Sequence, residues 1–410
     1  MQTTITTPGD VAAGAVRAPK QRIVSIDILR ALTMVLMIFV NDLWTLQGVP
    51  RWLEHTAARE DGMGLADTVF PAFLFIVGLS IPYAIQHRRS KGDNLGRLLW
   101  HIVLRTVALV IMGTYLVNSE ELNAQATGMS HLVFDAIGVT CFIVIWNTYP
   151  DSWSKAAVRV LQAVALAVLV YMAWIFRGGP DGDVHRFEHS WWGILGLIGW
   201  SYFAGATVYA LSNDRIVVNL AVWALMLGLC MAEHAHVLPR EGWFRPLISP
   251  LGEGGLTALV TGGVVISQLF RRFMAVGAWR RMVPLFLCIA LVLLGAGFGV
   301  RPLDGISKIQ CTPSWILICS AITIAMFMLV FYLTDILGKG GWFAFIKTAG
   351  TDTLLCYLMP YYAYCVFLTD VRLPDALVTG GVGLLKSAVF ALLMVQLARL
   401  LTKVGVKVRL

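Results

Sequence analysis

His55 stands in the polar segment Pro50-Arg51-Trp52-Leu53-Glu54-His55, between two long apolar runs. Imidazole is the side chain best suited to move a proton near neutral pH. A lone loop histidine is as a rule simply solvated, and pattern alone leaves both readings open. Glu54 adjoins it, but neighbours in sequence need not face one another. Asp67, at the start of the next apolar run, is the better orienter of the ring, and it is equally placed to cap the helix it opens. Asn41 and Asp42 close the preceding run. The Asn41 amide can donate to a developing oxyanion or merely end a helix, and Asp42 beside it is a candidate contact for a second substrate. Asp27 and Arg30 open that first run three residues apart, neighbours on one helix face. They read either as a local ion pair or as a guanidinium placed to meet an anionic cofactor. Arg88, Arg89 and Arg97 gather near the same side. Arg105 differs from them because it lies inside an apolar run and needs a partner there.

The elements that must position these groups are membrane helices. The chain has 410 residues, 58% hydrophobic and 14% charged, with a mean hydropathy of +0.73. A soluble fold of this size cannot hide so much apolar surface, so the surplus faces lipid. That excludes a soluble enzyme, a disordered chain and a secreted disulfide scaffold. Continuous apolar runs also exclude an outer-membrane barrel, whose strands alternate. Twelve such runs are expected, at about 26–46, 66–86, 97–117, 131–148, 156–176, 191–211, 215–232, 254–270, 283–300, 313–337, 343–368 and 378–402, eleven being the alternative count. The fold class is therefore all-α and polytopic: a short disordered tail over 1–21, then one transmembrane domain over 22–410.

Lysine and arginine favour the loops on the side of the N-terminus, such as Arg88, Arg89 and Lys91, then Arg271, Arg272, Arg280 and Arg281. The positive-inside rule then puts both termini in the cytoplasm, and Trp52, Trp191, Trp192 and Trp243 near the opposite interface. The net charge of +8 belongs to this topology rather than to a nucleic-acid face. Seven cysteines, nearly all within or at the edge of apolar runs and none in a C-x-x-C pair, read as small hydrophobes. No H-E-x-x-H or Cys/His spacing suggests a metal. Gly262-Gly263 is a candidate helix break of the kind transporters use, without a clear mate.

Three blocks then become specific: Ser25-Ile-Asp-Ile-Leu-Arg30, Met37-Ile-Phe-Val-Asn41 and Asp67-Thr-Val-Phe-Pro-Ala-Phe-Leu-Phe-Ile-Val-Gly78. They resemble the heparan-α-glucosaminide N-acetyltransferase family and its bacterial NagX-type relatives. Weaker blocks, Gly305-Ile-Ser-Lys308 with Thr312-Pro-Ser-Trp315, and Gly350-Thr-Asp352-Thr-Leu-Leu-Cys-Tyr357, extend the resemblance along the chain. It implies a multi-pass acetyltransferase of the bacterial inner membrane. Acetyl-CoA would be the cytosolic co-substrate, no metal is needed, and the acceptor is an amino sugar on the periplasmic side. Glucosamine, a glucosaminide terminus or a muropeptide would fit as acceptor, and a homodimer is suggested.

The family's active-site histidine falls on His55 and its helix-end asparagine on Asn41, with Asp67 as orienter. His55 would be the general base or a transient acetyl carrier. Arg30, Arg105, Asp27 and Arg97 are the candidates at acetyl-CoA; Asp42, Lys308 and Asp352 are those at the acceptor. The chain departs from the family at Ala31, where most members carry glycine, at Ala136, where an arginine is usual, and at Asp352, where asparagine is usual. Two more runs than the family's ten-helix core are expected between about 191 and 300. The competing reading is an amino-sugar or glycan-fragment transporter.

Overall fold

The computed structural model describes residues 23–238, 249–367 and 373–410. The expected tail over 1–21 and Trp243 lie outside the described residues. Every expected apolar run is met by a helix. In chain order these are α1 (Val24–Asp42), α2 (Leu65–Ser90), α3 (Leu95–Glu120), α4 (His131–Trp146), α5 (Lys155–Ile175) and α6 (Ile194–Ser212). They continue with α7 (Ile216–His234), α8 (Gly255–Ala275), α9 (Trp279–Gly299), α10 (Pro313–Phe331), α11 (Thr353–Phe367) and α12 (Gly380–Lys403). Among the described residues, nine of these helices are long and apolar enough to cross a membrane. The other three are α4, with 16 residues, α11, with 15, and α8, which carries Gln268, Arg271 and Arg272 near its end. The protein is an all-α polytopic membrane protein.

Small residues set which helices touch most closely. A Cβ on Gly78 would collide with the Val260 carbonyl, and one on Gly263 with the Phe75 carbonyl. These glycines let the α2 and α8 backbones meet, as in small-residue membrane interfaces, and Ser267 Oγ donates to the Leu79 carbonyl across the seam at 2.7 Å. Gly113 does the same for α3 and α6, where a Cβ would strike the Gly196 backbone. The Gly262-Gly263 pair expected as a break is thus a packing face within an unbroken α8. The real interruption falls in the expected run 343–368, where a short helix, Lys347–Thr351, ends at Asp352 (φ −124°, ψ 50°) before α11 begins. Helices α5, α7 and α9 turn side chains such as Val164, Trp174, Leu225 and Leu291 outward, the apolar rim that lipid covers.

Cross-helix bonds fix the direction of the bundle. Arg30 on α1 donates to Ser80 on α2 and, at 2.8 Å, to the Gly350 carbonyl. Asp42 at the far end of α1 meets Lys386 and Ser387 on the first turns of α12. The molecule therefore has a Val24 end and an Asp42 end, and the chemistry-bearing residues divide between them.

Candidate active site

At the Asp42 end, the first turn of α2 needs acceptors for its unpaired N–H groups. The preceding loop folds back to supply them: Leu65 N–H donates to the Trp52 carbonyl at 2.7 Å and Ala66 N–H to the Leu53 carbonyl at 3.2 Å. Gly64 permits this, since a Cβ there would strike the Glu54 carbonyl. The docking carries His55 over the helix start. Fully buried Asp67 then serves two tasks with two oxygens. Oδ2 accepts from Gly64 N–H and Thr56 N–H, both at 3.0 Å, which is the capping role. Oδ1 lies 2.7 Å from His55 Nδ1. A carboxylate accepts, so Nδ1 carries the proton and Nε2 presents its lone pair. Capping and orienting are therefore one function of the same carboxylate. Trp315 of α10 braces this turn, its Nε1 donating to the Asp67 carbonyl at 3.0 Å.

A third group arrives from the loop between α9 and α10. Lys308 Nζ lies 3.2 Å from His55 Nδ1 and 3.4 Å from Nε2. With Nδ1 committed to Asp67, Nε2 is the ring acceptor left to Lys308, which stands against the ring edge and can turn its donors to an oxygen that becomes negative there. Burial pushes the Lys308 ammonium below its usual pKa, against a smaller opposing effect of Asp67. Asp61 in the His55 loop pins the Lys308 loop: its carboxylate accepts from Ile306 N–H at 2.8 Å and from Arg301 Nε at 2.9 Å. The Ile306 N–H, aided by the Arg301 guanidinium, outweighs desolvation and holds the Asp61 carboxyl below its usual 3.8. His55 keeps a side-chain exposure of 43%, so a substrate can reach it from outside the bundle.

Other expected residues at this end fall elsewhere. Asn41 is exposed at the end of α1, and no hydrogen bond joins it to the trio among the described residues. Asp42 is buried and saturated by Lys386 Nζ at 2.7 Å, Ser387 Oγ at 2.6 Å and Tyr364 OH at 3.1 Å. It clasps α1, α11 and α12 together. Lys386 escaped the sequence reading, although a lysine inside an apolar run was the available signal.

A cavity of about 590 Å³ occupies the interior toward the Val24 end. Its walls run from Ile23 to Met37 on α1 and from Ala84 to Phe73 on α2. Fourteen helical rises from Ile23 to Met37 make it about 21 Å deep. Asp27, Arg30, Arg105 and Asp352 all line it, as do Tyr202, Tyr357 and Arg409, which the sequence reading did not select. Arg97 does not: it lies exposed on the first turn of α3. Arg88 and Arg89 are engaged outside the cavity, by Asp93 with His101 and by Asn213 with the Ala210 carbonyl. Arg30 holds Asp27, Ser80 and the Gly350 carbonyl, so it knits the wall. Arg105 lies over the Tyr202 ring at 4.8 Å. The inner end at Phe73 is six residues from Asp67 along α2, about 9 Å, and Phe70 lies between.

Comparison with known proteins bears on this geometry. The family profile described as "Heparan-alpha-glucosaminide N-acetyltransferase, catalytic" matches residues 22–122, the stretch holding Asp27, Arg30, Asn41, His55, Asp67 and Arg105. The chain is 31% identical to the heparan-alpha-glucosaminide N-acetyltransferase of Mus musculus over 215 residues, 44% of this chain and 32% of that protein. It is 32% identical to the Homo sapiens protein of the same name over 141 residues, 33% of this chain and 20% of that one. The matched region thus spans a third or less of those relatives. The resemblance carried by the first motifs is borne out over residues 22–122, which match that family profile.

Proposed function

We propose that the protein transfers an acetyl group from acetyl-CoA, held in the cavity at the Val24 end, to an amino sugar bound beside His55 at the Asp42 end. The observation that carries this reading is the His55–Asp67–Lys308 trio at one end of the bundle, with a deep, arginine-bearing cavity opening toward the other. The loop charges support placing the Val24 end in the cytoplasm and the His55 end on the periplasmic side of a bacterial inner membrane. The cavity suits the donor: its volume lies in the range of cofactor sites, its wall is largely apolar, and Arg30, Arg105 and Arg409 supply cations. A thioester is already activated, so this chain has to position the amine, take a proton and stabilise an oxyanion.

Asp67 fixes the Nδ1–H tautomer. His55 Nε2 takes the proton from the acceptor amine as its nitrogen attacks the acetyl carbonyl. Lys308 donates to the oxygen that becomes negative. As the C–N bond is completed and the C–S bond breaks, His55 returns the proton to the departing sulfur. The products are an N-acetylated sugar and the free thiol. Asn41, one turn of α1 beyond Met37, is the further candidate for holding the acetyl oxygen. Transfer requires the donor's arm to pass Phe73 and Phe70.

The helix interruption at Asp352, lining a cavity, favours the alternative of an amino-sugar transporter. Incubating the purified protein with labelled acetyl-CoA and glucosamine separates the two. Acetylated glucosamine formed by the wild type and lost in folded His55→Ala supports the transferase. Glucosamine uptake into proteoliposomes without consumption of acetyl-CoA supports the transporter.

A further inference from the structure

We infer that Arg105 and Asp352 act as a pair that reads the amide groups of the donor's pantetheine arm. This rests on the reading of the cavity as the acetyl-CoA site. Three polar atoms on the cavity residues are buried without a hydrogen-bond partner, Arg105 Nε, Asp352 Oδ1 and the Tyr83 hydroxyl; the hydroxyl can donate or accept, which leaves Arg105 and Asp352 as the two orphans of fixed kind. Asp352 is 8% exposed, and its other oxygen is occupied by the Thr351 hydroxyl at 2.8 Å. Such orphans are costly in any interior, and more so inside an apolar bundle.

The two orphans are of opposite kind, and that selects the ligand. Nε–H requires an acceptor and Oδ1 requires a donor. A phosphate would satisfy the guanidinium but be repelled by the carboxylate, and an ammonium group would do the reverse. A secondary amide offers C=O and N–H together. The pantetheine arm carries two amides joined by methylenes, and Met34, Leu109 and Ile198 give the cavity apolar wall for those methylenes. Depth agrees with this placement. Arg105 lies ten residues into α3, about 15 Å from its start. Asp352 lies nearer the Val24 end, two residues past the Gly350 carbonyl that Arg30 holds, so the two orphans mark a stretch of wall rather than one level, as an extended arm with two amides requires.

Binding to the purified full-length protein tests the pair, with CoA, pantetheine and adenosine 3′,5′-bisphosphate as separate calorimetric probes. Arg105→Leu and Asp352→Leu are expected to weaken CoA and pantetheine each by about tenfold or more, and to leave the bisphosphate within about twofold. Ligand-free Asp352→Leu is expected to melt no lower than the wild type, because it removes an orphaned acceptor; a purely structural carboxylate would give a lower Tm. If Asp352→Leu does not yield folded protein, Asp352→Asn replaces it, keeping an acceptor oxygen without charge, with a loss of about threefold expected. Unchanged CoA and pantetheine binding in the variants overturns the inference. So does a loss confined to the bisphosphate, which would move the pair to the nucleotide. A wild type that binds none of the three probes overturns the underlying cavity reading instead.

Discussion

Replacing Asp67 by asparagine should invert the tautomer of His55. In the wild type Oδ2 takes two backbone N–H groups, from Gly64 and Thr56, and Oδ1 takes one bond, from His55 Nδ1. Asparagine has one oxygen. It satisfies more donors by keeping that oxygen on the two backbone groups, which turns its NH₂ toward Nδ1. Two donors cannot face each other at 2.7 Å, so the ring must present its Nδ1 lone pair and carry its proton on Nε2. The nitrogen that should take the amine proton is then blocked. Loss of a positioned base costs about 10²–10⁴ in rate, or about 2.7–5.4 kcal/mol of barrier. Stability should fall less, by about 1–2 kcal/mol, because the cap survives and one charge-assisted bond is lost. Acetyl-CoA affinity should hold, since the cavity wall ends at Phe73. Initial rates of labelled acetyl transfer, with CoA binding and melting on the same samples, read all three quantities. A kcat within about fivefold of wild type in a folded Asp67→Asn protein would refute the tautomer argument.

Three other perturbations test separate parts of the structure. Lys308→Met should lower kcat by about 10–10³-fold with little effect on CoA binding, as expected for removal of a cation at a developing oxyanion. The same variant has a stability signature: burial holds the folded Lys308 below 10.5, so the folded state sheds its proton first. Wild-type stability should then rise as pH climbs through the depressed folded value toward 10.5, and the methionine variant should lack that rise in pH-dependent melting. Lys386→Met strands the buried Asp42 carboxylate and should cost about 3–5 kcal/mol, whereas adding Asp42→Asn should recover much of the loss; equal melting of the single and double variants would count against the clasp. Gly78→Ala drives a methyl into the Val260 carbonyl, and because backbone cannot yield as a side chain does, a loss of about 1–3 kcal/mol or more is expected by thermal unfolding in detergent.

The apolar runs were enough to place every long helix, because lipid admits no spanning element except one that bonds its own backbone, and such an element needs a long run of apolar residues. The motif-bearing region was legible for a related reason. His55, Asp67 and the Asp67–Gly78 block lie within one stretch of chain, and a helix start must recruit its own caps locally. What each oxygen of Asp67 does was not legible, because capping and orienting leave the same residue at the same position.

Tertiary structure alone decided the long-range pairings. Lys308 meets His55 across |i−j| of 253 and Lys386 meets Asp42 across 344, separations that no helical period records. Gly262-Gly263 looked like a break because glycine lowers helix propensity, but the neighbouring α2 backbone makes it a contact face. The interruption fell instead at Asp352, next to the Gly350 carbonyl that Arg30 holds from α1. The arginines sorted in the same way. Arg30, Arg97 and Arg105 are equivalent as sequence symbols, yet one knits a wall, one faces outward and one keeps an unpaired donor in the cavity. Sequence fixes which side chains lipid will tolerate along each helix. The rotation and neighbours of each helix depend on packing against chain hundreds of residues away, and only those determine which polar atoms are left for a ligand.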